Sequence, residues 1–132
     1  MKIVVLLLSL CTMSAATTAF LTTYPGGVAS PPKSLVGRWE HTFPKGVWVW
    51  TIRPNGTFTL TSKGKTFANG QYRVQNGIYQ MNDANCNVNY QGRYRFAFFA
   101  KDSLRFSVVE DTCQARRAGT DGTGWKHLAD AK

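Results

Sequence analysis

Apolar and polar residues alternate along most of the chain from residue 35 to residue 128, and no helical pattern of three turns competes with that alternation. The pattern predicts strands over residues 36–42, 47–53, 57–62, 66–74, 77–82, 91–100, 103–110 and 124–128. Pro54-Asn55-Gly56, Lys63-Gly64-Lys65, Gln75-Asn76-Gly77 and Lys101-Asp102-Ser103 separate them and read as hairpin turns. Asn-Gly pairs are strong hairpin signals because both residues accept positive φ cheaply. Residues 115–123, with Gly119 and Gly122, read as irregular. Eight short antiparallel strands in about 95 residues make a meander. Such a meander closes most economically into an up-and-down barrel, which leaves no open edge.

Alternate residues of a strand face opposite sides, so parity sorts the side chains. One parity collects Trp39, Trp48, Trp50, Ile52, Phe58, Leu60, Tyr72, Val74, Tyr94, Phe96, Phe98, Leu104, Phe106 and Val108. The other collects Arg38, Arg53, Thr57, Thr59, Thr61, Arg73, Arg93, Arg95, Arg105 and Ser107. Burying a large apolar side chain contributes roughly 1.5–3 kcal/mol, whereas an unpaired buried arginine costs several. The aromatic set therefore faces inward. Nine of its fourteen members are aromatic, which predicts a narrow lumen suited to a small flat molecule and not to a long chain.

The first 34 residues break the pattern. Lys2, the apolar run 3–13 and Ser14-Ala15-Ala16 have the order of a secretory leader, with cleavage expected after residue 16 or after residue 19. An apolar run of about 11 residues is too short to span a bilayer. Residues 17–34 carry Pro25-Gly26-Gly27 and Pro31-Pro32 and read as a linker into a domain over 35–128, with a tail at 129–132. Export to the periplasm or outside the cell is the expectation. The leader holds Cys11, so Cys86 and Cys113 remain, and an even pair in an exported chain reads as a disulfide, with two buried thiols as the alternative.

The formal charge of +9 favours solubility and anionic partners without bearing on fold. Arg73, Arg93, Arg95 and Arg105 fall on the outward parity of neighbouring strands, a basic stripe available to an anionic surface component. No signature of specific nucleic-acid binding accompanies it. Catalytic chemistry is thinly represented: His41 and His127 have no placed partner, and Glu40, Asp83, Asp102, Glu110, Asp111, Asp121 and Asp130 mostly fall in turns or at strand ends. No nucleophile elbow, phosphate loop or metal-ligand spacing occurs, so neither a cofactor nor a metal is expected.

Gly37-Arg38-Trp39 at the head of the first strand, the meander behind it and the late Asp111-Thr112-Cys113-Gln114-Ala115-Arg116 element resemble the lipocalin and fatty-acid-binding (calycin) group. The resemblance is greatest to small exported bacterial lipocalin-like domain proteins and covers about residues 35–128. It implies an eight-stranded barrel in which Trp39 lies across a closed end with Arg116 or Arg117 packed on it, a cation–π contact. Arg93-Tyr94-Arg95 does not fit the Arg-x-Tyr clamp of fatty-acid-binding proteins, because the two arginines share a face away from the tyrosine. The expectation is a monomeric, non-enzymatic container that grips a small apolar or aromatic molecule with Trp48, Trp50, Phe58, Tyr72, Tyr94 and Phe96. The alternatives are a solid barrel acting through its basic exterior and, less favoured, an isomerase or cyclase inside the bore.

Overall fold

The computed structural model describes residues 34–129, within a compact unit that runs Pro32–Lys132. The expected leader over 1–16, all but residue 34 of the expected linker over 17–34, and residues 130–132 of the expected tail lie outside the described residues. Eight strands form a closed antiparallel barrel in chain order: β1 Gly37–Phe43, β2 Gly46–Ile52, β3 Thr57–Ser62, β4 Lys65–Gln75, β5 Ile78–Asp83, β6 Gly92–Phe99, β7 Ser103–Glu110 and β8 Gly124–Leu128. The wall closes where β8 returns to β1, with Arg38 opposite Leu128, Trp39 opposite His127 and Glu40 opposite Lys126. Asn76 and Gly77 take φ of 51° and 72°, the two-residue hairpin that an Asn-Gly pair favours.

Strict antiparallel order sorts the connections between two ends. The base holds the start of β1 and the β2–β3, β4–β5 and β6–β7 turns. The rim holds the β1–β2 and β3–β4 turns, the β5–β6 loop and the β7–β8 connection. That last connection contains the one departure in element type. Residues Gln114–Thr120 form a helix, α1, where an irregular segment was expected. Ala115, Arg116, Arg117 and Ala118 all favour helix, and Arg117 N–H donates to the Cys113 carbonyl at 2.9 Å. Two turns are too few for a helical period to show in the sequence.

Parity holds around the wall. Trp39, Trp50, Ile52, Phe58, Tyr94, Leu104 and Phe106 are buried, and Trp48, Leu60, Tyr72, Phe96, Phe98 and Val108 pack on them half-buried. Leu35, Tyr79, Met81 and Trp125 are also buried in the core, and Phe43 packs on it half-buried. Arg38, Arg73, Arg93, Arg95 and Arg105 are exposed, and Arg53 is half-buried with its guanidinium on Thr59 Oγ1 at 3.0 Å. Val74 is the exception: expected inside, it is 46% exposed. Its parity is right, but β4 is eleven residues long and Val74 is its second-last residue, next to the base-end turn, where nothing covers it.

Near the base, Trp39 is buried with its indole N–H on the Leu35 carbonyl at 2.9 Å. The His127 ring meets it edge-on at 4.9 Å, and Phe98 lies 6.1 Å away. Gly37 allows this packing: its φ is 150°, and a Cβ there would stand 2.9 Å from His127 Nε2.

Candidate functional site

At the rim the two cysteines, Cys86 in the β5–β6 loop and Cys113 before α1, form a disulfide with Cα atoms 6.0 Å apart. The bridge ties the loop to the helix. Beside it lies a buried ionic cluster. Arg116 in α1 donates to both oxygens of Asp111, from Nε at 2.7 Å and Nη2 at 2.9 Å, and reaches Asp83 Oδ2 from Nη1 at 3.2 Å. Tyr94 Oη donates to Asp111 Oδ2, and the Cys113 N–H to Asp111 Oδ1 at 2.9 Å. Asp83, at the end of β5, accepts the Asn85 N–H at 2.9 Å. Residues from β5, β6, the segment just after β7 and α1 thus converge in one ionic cluster.

Burial alone would raise the Asp111 carboxyl. The hydrogen bonds from Arg116, Tyr94 and the Cys113 N–H, with the Arg116 charge, outweigh it and hold the group below the ordinary carboxylate range. Burial likewise opposes the charge on Arg116, and the two carboxylates overcome it and push the guanidinium further up. Tyr94 is raised far above a free phenol, first by burial and then by its bond to the Asp111 carboxylate. These groups keep fixed protonation states near neutrality, which suits a clamp and not proton transfer.

Between α1 and the rim turns opens a cavity of about 560 Å³. Trp48, Trp50, Phe58, Leu60, Met81 and Trp125 line its depth, Phe43 and Phe67 its flank, and Ala115, Ala118 and Gly119 of α1 its lid-like wall. Phe67 lies against Trp48 with centroids 4.4 Å apart. Small residues on α1 leave the space open, since larger side chains there would fill it. Below, Trp50, Tyr79, Phe106 and Trp125 close the bore: Trp50 is 4.9 Å from Phe106, 5.2 Å from Trp125 and 5.9 Å from Tyr79. The lumen is therefore plugged towards the base and hollow towards the rim.

Of the six residues expected to hold a ligand, Trp48, Trp50 and Phe58 line this cavity and the other three do not. Tyr72 stacks on Tyr79 at 5.1 Å and donates to the Arg53 carbonyl at 2.5 Å. Tyr94 serves the Asp111 cluster, and Phe96 packs on Phe98 at 6.1 Å. The expected pairing of Trp39 with Arg116 is not formed. β7 runs from base to rim, so a helix that follows it stands at the rim, while Trp39 lies towards the base; His127 takes the place on the tryptophan. Arg117 is exposed. Phe43, Phe67, Met81 and Trp125 were missed as lining residues, although Trp125 and Phe43 share the inward parity of Trp39 within the barrel.

His41 is also held by packing. Its Nδ1 lies 2.7 Å from the Gly124 carbonyl, and its ring packs on Phe43 and Trp125. Among the described residues no group of three His, Cys, Asp or Glu side chains converges to hold a metal ion. The outward arginines stand as expected, with Arg73 Nε on Gln80 Oε1 at 2.7 Å, Arg93 3.7 Å from Glu110 and Arg105 over the Phe99 ring at 4.5 Å.

The fold and cavity define the chain as a closed eight-stranded antiparallel barrel, compatible with a lipocalin-like fold, hollow at one end. No protein-family model, curated protein or solved structure matches it. Among the described residues no helix is long and apolar enough to cross a membrane.

Proposed function

We propose that this protein is an exported, lipocalin-like, non-enzymatic container that binds one small aromatic or apolar molecule in the rim cavity. The observation that carries the reading is the cavity itself: about 560 Å³, enclosed mainly by rings and aliphatic side chains, within the range typical of small-molecule sites. Trp48, Trp50 and Phe58 supply flat faces for a flat ligand, and Leu60 and Met81 fill around it. The disulfide and the leader-like start of the sequence support export.

N-phenyl-1-naphthylamine, an uncharged two-part aromatic, is a suitable probe. With about 17 non-hydrogen atoms at roughly −0.4 kcal/mol each, its Kd is expected on the order of 10 μM. A saturable 1:1 change in tryptophan fluorescence supports the reading, and Ala68→Phe, which fills the cavity from β4, should remove it. No saturable response from folded, disulfide-intact protein would sink it. The second reading, a basic exterior docking on an anionic envelope component, draws on the exposed Arg73, Arg93, Arg95 and Arg105. It ranks lower because Arg73 and Arg93 already have polar partners.

A further inference from the structure

The charge around the cavity mouth is one-sided, and we infer from it that the occupant is an anionic amphiphile, its apolar body in the bore and its anionic group on a lysine rim formed by Lys45, Lys63 and Lys65. The inference rests on the container reading and narrows it. Lys45 lines the cavity from the β1–β2 turn. Lys63 occupies the neighbouring β3–β4 turn and lays its side chain towards Gly46, with Cε 3.2 Å from where a Cβ on that glycine would stand. Lys65 opens β4 opposite Ser62, on the same turn and two residues from Phe67 in the cavity flank. All three are exposed, and among the described residues none forms an ion pair.

Among the described residues four acids stand at this end: on the β7 side Glu110 faces Arg93 at 3.7 Å and Asp121 accepts the Val108 N–H at 2.9 Å. The other two, Asp83 and Asp111, are buried and both held by Arg116; Asp83 and Arg116 also border the cavity, which therefore meets a cluster of one net negative charge. A second anion placed deep beside it meets repulsion and desolvation, with the single guanidinium already shared. The same anion at the rim stays hydrated and faces three ammonium groups on two adjacent turns. The apolar depth and the cationic mouth therefore select one orientation, head outward. An uncharged ligand gains from the bore alone, and a cationic one is repelled at entry.

The test compares two probes with the same ring body. 1-Anilinonaphthalene-8-sulfonate carries a sulfonate that N-phenyl-1-naphthylamine lacks. At low ionic strength the sulfonate should bind about tenfold tighter and compete with the neutral probe for one site, and its advantage should shrink at high salt. In K45M/K63M/K65M, which removes the charges and keeps the aliphatic stem of Lys45 along the cavity, the advantage should vanish while the neutral probe still binds the folded protein. Equal affinity of the two probes, or a sulfonate preference untouched by the triple substitution, overturns the lysine rim and leaves the container intact. If neither probe binds the folded protein, the container reading fails and this one with it.

Discussion

Replacing Arg116 by alanine tests the cluster that joins helix, loop and barrel. The wild-type guanidinium makes two hydrogen bonds to Asp111 and one to Asp83, with side-chain exposures of 5% for the arginine, 0% for Asp111 and 4% for Asp83. Arg116→Ala leaves two buried carboxylates without their shared cation, and breaking a buried pair in this way costs about 3–5 kcal/mol. A domain of this size has a total stability of roughly 5–15 kcal/mol, so the loss is a large share of it. Urea unfolding followed by tryptophan fluorescence, disulfide intact, measures the loss. The midpoint should fall with little change in slope, and Tm should drop by about 12 °C or more. Asp83→Asn in the same background should recover part of the loss, because it removes one of the stranded charges. A loss below about 1 kcal/mol would refute the claim that this cluster pins the rim.

Other perturbations check separate parts of the account. Gly70→Ala should prevent stable folding, since a Cβ there would overlap the backbone carbonyl of Asn82 on β5, and circular dichroism of the purified variant would show it. Cys86→Ser with Cys113→Ser should lower stability by roughly 3–4 kcal/mol and be read by the same urea assay. On acidification, Asp111 has a folded pKa below its unfolded value near 3.8, so its contribution is complete above about pH 4 and is lost as pH falls through the folded value; stability measured from pH 6 to pH 2 should decline there. At the alkaline end Tyr79 and Tyr94 are raised above 10, chiefly by burial, so their contribution is full below pH 10 and is lost above it; tyrosinate absorbance should rise together with unfolding.

The barrel is legible because its instructions are local. Alternation with a two-residue period gives strand and face at once, and Asn76-Gly77 gives a hairpin, so the strand limits shift by only a residue or so and Val74 alone among the inward set is left uncovered. What the sequence conceals is how far along the bore each inward residue stands. Trp48 and Tyr72 have the same parity, but one lies at the hollow rim and the other over a filled base, and parity carries no such coordinate. The Asp111–Arg116 bond, five residues apart, is local, but Asp83 joins it from 33 residues away and only strand order reveals that. The Trp39–Arg116 pairing failed for the same reason: the resemblance supplied two residue types, and the direction of β7 put them at opposite ends.

The four tryptophans offer the most direct measurement of the central claim. In a ¹⁵N-labelled sample each indole N–H gives its own resonance, assignable by single substitution to phenylalanine. Adding N-phenyl-1-naphthylamine should shift the signals of Trp48, Trp50 and Trp125, which line the cavity, and leave that of Trp39, bonded to the Leu35 carbonyl near the base, in place. Shifts spread evenly over all four, or confined to Trp39, would contradict a ligand seated in the rim cavity.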